Sequence, residues 1–202
     1  MTIEILMSFD KDQLSMAAMD LDSSELPMIV DLLSEKDDKI RYQAFLLLQC
    51  RSRLYGDVYS FWDTFRTKLH SENSYQRSLG IMLIAENAKW DLDDRMARSI
   101  HECLEILKDE KPITIRQGIQ ALGDIAETKP DLSGVIADAL ISIDLMRIKE
   151  TMRKSILLDS LRVLTAIRNT YKSDAVDKYI FDSLSGGMLD KKSVKEIQAL
   201  VL

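Results

Sequence analysis

The sequence predicts an all-α fold, an α-α superhelix of about four helical hairpins closed at its C-terminal end by capping helices. Three observations predict it. Turn-forming residues are scarce, with seven Gly and three Pro in 202 residues, fewer than β-rich folds usually need. The composition is instead dominated by helix formers such as Ala, Leu, Ile, Met, Lys, Glu and Arg. Apolar residues recur at i, i+3, i+4 and i+7, the spacing that lines one face of a helix. Finally, one phrase returns four times: an arginine followed by about two turns of small and apolar residues. It reads IRYQAFLLL around Arg41, QRSLGIMLIAE around Arg77, IRQGIQALGDIAE around Arg116 and MRKSILLDSL around Arg153. These arginines stand 36, 39 and 37 residues apart. A near-constant period of that size marks a solenoid, in which each repeat buries its apolar face only against its neighbours.

The elements follow in order. Residues 1–24 lack strong periodicity and read as an acidic lead-in, partly helical or loose, ahead of a single repeat domain over 25–202. The first unit spans about 25–56. Ser23 or Ser24 can cap a helix beginning near Pro27, where the missing N–H costs nothing. SEKDDK turns the chain, and Ile40, Ala44, Leu47 and Leu48 form the stripe of the second helix. In the second unit, 57–90, Val58, Phe61, Trp62, Phe65 and Leu69 share a face, residues 71–74 turn, and Leu79, Met82 and Leu83 mark the second helix. The third unit, 91–130, opens with Asp91 and Asp94 in the spacing of an acidic capping box. The stripe Met96, Ile100, Cys103, Leu104 and Leu107 precedes the KDEKP turn and the helix around Arg116. The fourth unit, 131–172, pairs Val135, Ile136, Ala139, Leu140 and Ile143 with a longer helix of about 149–170. Residues 173–202 break the phrase and read as a cap. Val176, Tyr179, Ile180 and Leu184 form one helix, Gly186–Gly187 stop it, and Ser193 with Glu196 makes a capping box for the last. An atypical terminal repeat is what a cap requires, because its outer face meets water.

Composition bounds the function classes. The chain is 46% hydrophobic, enough for a core, yet no apolar run approaches the roughly 20 residues of a membrane helix. The first residues have no basic stretch leading into an apolar block, so no secretory leader is expected. Cys50 and Cys103 fall in different repeats, which predicts buried free thiols in a reducing cytoplasm rather than a disulfide or a thiolate metal site. The net charge of −6 is uneven. Residues 1–38 hold ten acids against Lys11 and Lys36, and residues 145–202 hold eleven bases against seven acids. A near-neutral body is not the footprint of a dedicated nucleic-acid binder.

A first helix ending in two apolar residues, a polar turn, then apolar–Arg, a small residue and an Ala-Leu-Gly stretch resembles the HEAT repeat. Arg116 to Glu127 (RQGIQALGDIAE) and Leu32 to Ala44 (LLSEKDDKIRYQA) carry the resemblance most specifically, and it extends over about residues 25–170. Gln76 replaces the apolar residue before Arg77, and Asp159–Ser160 stands where Leu-Gly is expected. The resemblance implies a right-handed superhelix and a structural role for Arg41, Arg77, Arg116 and Arg153 as a ladder along one edge, with Asp37 and Glu110 placed to pair with it. Ala44, Gly80 and Gly118 then let neighbouring backbones approach closely, which compensates the cost of a helical glycine.

The chemistry is sparse. No phosphate-binding glycine loop occurs. With only His70 and His101, neither a Ser-His-Asp set nor the di-iron site of the HEAT-repeat deoxyhypusine hydroxylases can be assembled, although His101–Glu102 is one such pair. The bilin-lyase-like HEAT proteins share the repeat and offer no transferable motif. A resemblance to the HEAT-like alkylpurine DNA glycosylases would recruit Trp62, Trp90, Arg153 and Asp159. Trp62, however, lies within an apolar stripe and reads as core. Carboxylate pairs such as Asp93–Asp94 sit where solvated helix caps are expected, and Asp10-x-Asp12 lacks the rest of a calcium loop. The leading expectation is a non-catalytic cytoplasmic interaction module with no cofactor and no metal. It receives a protein or peptide on the concave face lined by the second helices, through Arg51, Arg53, Gln117, Gln120, Asp124, Lys154 and Arg162. The alternative is a nucleic-acid-binding or DNA-repair protein. A monomer is one expectation, and a segment of a larger assembly with the acidic lead-in docked elsewhere is the other.

Overall fold

The computed structural model describes residues 1–201, and among them every regular element is an α-helix or a short 3-10 turn. Contacts divide the chain between Asp94 and Arg95 into two compact bodies. The N-terminal body contains α1 (Ile3–Ser8), α2 (Lys11–Asp20), α3 (Leu26–Asp31), α4 (Asp38–Leu54), α5 (Trp62–Lys68) and α6 (Ser74–Asn87). The acidic lead-in is therefore helical. Thr2 caps α1, and Asp10 with Gln13 makes a reciprocal capping box for α2. Both helices pack on α4, burying Leu6, Leu14 and Ala18. Gln43 on α4 fastens α1 by donating to the carbonyls of Leu6 and Phe9, 3.3 and 2.7 Å away. The segment docks on its own chain.

The helix starts expected from serine caps belong to aspartates. Asp22 accepts from the Ser24 amide at 2.8 Å and shares a capping box with Glu25 ahead of α3. A carboxylate immediately before the turn reaches its open N–H groups, and Ser23 donates instead to Asp57 at 2.7 Å. Asp37 caps α4 and Asn73 caps α6. The first helix of the second repeat begins as a 3-10 turn over Asp57–Phe61 before α5. Its side chains Val58, Trp62, Phe65 and Leu69 are buried as the stripe predicts.

The C-terminal body contains α7 (Arg95–Leu104), α8 (Pro112–Thr128), α9 (Ser133–Ile141), α10 (Glu150–Ile167), α11 (Asp174–Ser185) and α12 (Lys191–Val201). The Asp91–Asp94 capping box does not form. Asp91 is buried and accepts from the Tyr59 hydroxyl at 2.7 Å, while Asp94 takes a left-handed conformation, φ 55°, just before α7. Asp tolerates that conformation better than most residues. Pro112 occupies the first position of α8, where its missing N–H is harmless. The last helix is capped by Asp190, which accepts from the Ser193 amide at 2.8 Å, so the Ser193–Glu196 box is displaced. Gly187 supplies the positive φ of 76° in the turn before it.

Within each body the second helices of successive repeats lie side by side: α2 on α4 and α4 on α6, then α8 on α10 and α10 on α12. Small residues set the approach of first to second helix. A Cβ on Gly80 would lie 2.7 Å from the Phe65 carbonyl oxygen, and one on Gly118 would strike Ile106. Sequence reading overlooked Gly123, whose Cβ would lie 2.9 Å from Val163 Cγ2 across the α8–α10 contact. Since the obstacle at Gly80 is backbone, α5 and α6 must separate to admit a side chain. Gly80→Val is expected to cost about 2–3 kcal/mol even after the gain of removing a helical glycine. Urea unfolding followed by circular dichroism checks it, and a midpoint equal to that of the parent chain contradicts the close approach.

Candidate binding surface on the second helices

The four repeated arginines sit one turn into each second helix, within reach of the turn they follow. Three of them return to it. Arg41 Nη1 donates to the Glu35 carbonyl at 2.6 Å and Nη2 pairs with Asp38. Arg77 Nη1 donates to the carbonyls of Ser71 and Glu72 at 2.7 and 2.9 Å. Arg153 donates to those of Ile148 and Met146 at 2.9 and 3.2 Å. Carbonyls at a helix end and in its turn lack partners of their own, and a guanidinium, with five N–H groups, can satisfy two at once. Asp37, expected to pair with this ladder, caps α4 instead.

Arg116 departs from the pattern. Its Nε donates to Asp159 at 2.6 Å, from α8 to α10. Asp159, the polar break in the fourth phrase, is only 2% exposed. Its other oxygen accepts from Arg162 at 3.1 Å, and Arg162 in turn meets Glu196 of α12 at 2.7 Å. The hydrogen bond to Glu196 is the main cause of the raised Arg162 pKa, and burial only partly opposes it. One line of charge, Arg116–Asp159–Arg162–Glu196, thus ties three second helices together. Lys154 and Asp190 add a further pair between α10 and the start of α12. In the N-terminal body Arg53 forks onto Glu86 from α4 to α6, the closest approach being 2.8 Å.

The seven residues expected to meet a partner therefore divide. Arg51 does not belong among them. It is 6% exposed, its Nε and Nη2 fork onto Asp57 at 2.6–3.2 Å, and Nη1 donates to the carbonyl of Ala18 at 2.7 Å. The Tyr55 ring covers its guanidinium at 3.9 Å. Position 51 falls on the inward side of α4, where α2 and the next turn close over it. Arg53, Lys154 and Arg162 stay at the surface, each held by an acid on the next helix. Gln120 and Asp124 are exposed on α8 with Gln117 half-buried beside them. The same side of α10 presents Arg162 and Ala166. The pairs join residues 33, 34, 36 and 43 positions apart. Opposite charges one repeat apart were the sequence signal that could have revealed them.

The residues that the glycosylase resemblance would recruit each make contacts within the chain. Trp62 is 1% exposed and packs against Tyr59, with ring centroids 5.6 Å apart, so no base can stack on it. Asp159 is buried and paired with two guanidinium groups, those of Arg116 and Arg162. Trp90 donates to the Ser52 carbonyl at 2.7 Å and lies against Gly56. Gln76, the other departure, bridges the Leu33 carbonyl and the Lys68 ammonium at 2.7 and 2.6 Å, fastening adjacent repeats. Burial, and then the charge of Arg41, depress the Lys68 pKa. Among the described residues no group of three or more His, Cys, Asp and Glu is arranged to hold a metal ion. His101 lines a cleft of about 1000 Å³ with Glu105, Lys108, Asp144 and Arg147 at the turn edge of the C-terminal body. No helix among the described residues is long and apolar enough to cross a membrane.

No family model matches the chain, and no curated protein matches it. Among solved structures it is similar to the crystal structure of an engineered protein from a structural genomics consortium. That likeness has a TM-score of 0.50 at 16% identity and covers 100% of this chain and 96% of the other. At that identity it concerns the fold alone.

Proposed function

We propose that the chain is a non-catalytic interaction module of the HEAT-like, right-handed superhelical type, which receives a protein or peptide on the face formed by its second helices. The observation that carries this reading is the set of ion pairs that, within each body, join α4 to α6, α8 to α10 and α10 to α12, beside the exposed Gln120 and Asp124. Arginine and glutamine side chains normally lose rotamer freedom when a partner arrives. Here Arg53 and Arg162 are already held by Glu86 and Glu196, so that cost is largely met in the free protein. Arginine is also among the residues most often found as binding anchors. Second helices lying side by side within each body support the superhelical reading. The two free thiols, Cys103 buried among them, suit a cytoplasmic setting.

The test is photo-crosslinking in the source cell, with the reactive amino acid at Gln120 or at Arg98, an exposed position on a first helix. Discrete adducts from position 120 and none from position 98 are expected. Equal labelling from both positions, or none from 120, overturns the assignment of this face.

A further inference from the structure

We propose that the outer side of the N-terminal helix pair is a second docking site, whose occupant is a basic amphipathic helix. The site is a groove of about 440 Å³ between α1 and α2, with Met1, Ile5, Phe9, Met16, Ala17 and Leu21 among its lining residues. Apolar side chains clustered on a surface mark interaction sites, and this helix pair exposes Ile5 to 48%, Met16 to 68% and Met19 to 54%. The inward side of α2 is already filled by α4 through Leu14 and Ala18, so these side chains have nothing of their own chain left to cover.

The charge around the groove selects the occupant. Between residues 1 and 35 eight acids stand against the single base Lys11. Asp10, Asp22 and Glu25 act as caps, and the Met1 ammonium pairs with Glu25. Asp12 and Asp20 lie on the same outward side of α2 as Met16, both exposed, and neither has a cationic partner among the described residues. An apolar groove with an acidic rim complements a helix with apolar anchors at i, i+3, i+4 and i+7 and Lys or Arg beside them. Methionine suits this task, since its unbranched thioether side chain adjusts to anchors of different shape. A helical partner also fits the local geometry: α4 is flanked by α2 and α6, and the open flank of α2 is where one more helix of the row would lie. The site is separate from the second-helix face and stands or falls independently of it.

The experiment titrates the full chain, methyl-labelled at methionine, with a synthetic helical peptide carrying Leu and Phe anchors and Lys at the flanking positions. A second peptide has every Lys replaced by Glu. The expected result is micromolar binding of the basic peptide with the Met16 and Met19 methyl signals moving and those of the buried Met96 unmoved. Met16→Asp is expected to weaken binding more than tenfold. Asp12→Asn with Asp20→Asn is expected to weaken it about fivefold at low salt and little at high salt. All three changes are at exposed positions and leave the fold intact, which an unmoved signal from Met82, on α6 of the same body, verifies. The proposal is overturned if the acidic peptide binds equally well, if the basic peptide does not bind, or if Met16→Asp binds as the parent does. It is also overturned if Met16→Asp converts a self-associated chain to monomer, which makes a second copy the occupant. Displacement of the Met16 signal by zwitterionic lipid vesicles but not by the peptide overturns it in favour of a membrane.

Discussion

Arg51→Ala is expected to lower the stability of the N-terminal body by about 3 kcal/mol or more, because the change strands partners that are already desolvated. Arg51 accepts nothing and donates to everything around it. It forks onto Asp57, reaches the Ala18 and Met19 carbonyls at the open end of α2, and lies under the Tyr55 ring. Removing it leaves the half-buried Asp57 carboxylate with Ser23 as its remaining side-chain donor and takes the donor from the buried Ala18 carbonyl, and each such loss carries its own desolvation penalty. Lysine does not rescue it, since a single ammonium cannot span the fork and the carbonyl together. The same variant alters the acid limb of the stability curve. Burial alone raises the Asp57 pKa, but hydrogen bonds from Arg51 and Ser23, together with the Arg51 charge, outweigh it and hold the value below the usual carboxylate range. A depressed carboxylate contributes stability that is fully present above its unfolded pKa of about 4 and is lost as pH falls through the folded value. In Arg51→Ala the part of that contribution supplied by Arg51 disappears. Urea midpoints taken from pH 7 to pH 3 should therefore fall less steeply for the variant than for the parent. Parallel curves would show that Asp57 gains nothing from the pair.

Much of the architecture was legible in the sequence because its carriers are local. The Arg41, Arg77, Arg116 and Arg153 phrases each begin a second helix, and the stripes around Leu47, Phe65 and Ile100 are largely buried as spacing implies. What the sequence hid was non-local. The lead-in looked loose because α1 and α2 are only 6 and 10 residues long, and exposed methionines blur their stripe. Their stability comes from α4, not from their own pattern. Arg51 passed for a surface residue because its fate is decided by Ala18 and Asp57, one of them 33 positions away. Sequence does not separate serine from aspartate as the cap at Asp22 and Asp190 because several polar residues crowd each helix start, and only geometry says which oxygen reaches the open amides. The charged pairs of the candidate surface were hidden in the same way, each partner lying a full repeat from the other.

Trp62→Ala is expected to cost about 3–5 kcal/mol, with Trp62→Phe costing much less. Trp62 opens α5, is 1% exposed and packs against the Tyr59 ring, and Val58, Phe65 and Leu79 of the same body are buried as well. Deleting the indole leaves a cavity that the backbone cannot close, because Gly80 already brings α6 into contact with the Phe65 carbonyl. Packing at that limit transmits the loss to both helices. The experiment also separates two views of this tryptophan. As a core residue it governs thermal unfolding and the near-ultraviolet signal, and its loss leaves affinity for single-stranded DNA unchanged. As a stacking platform for a nucleobase it would be dispensable for folding, and its loss would weaken that affinity by the ~1–3 kcal/mol a stacked base contributes. Thermal melts of the two variants, paired with a DNA titration at low salt, give opposite patterns for the two roles. Burial beneath the Tyr59 ring assigns the first pattern to this protein, since a ring without an open face has none to offer a base.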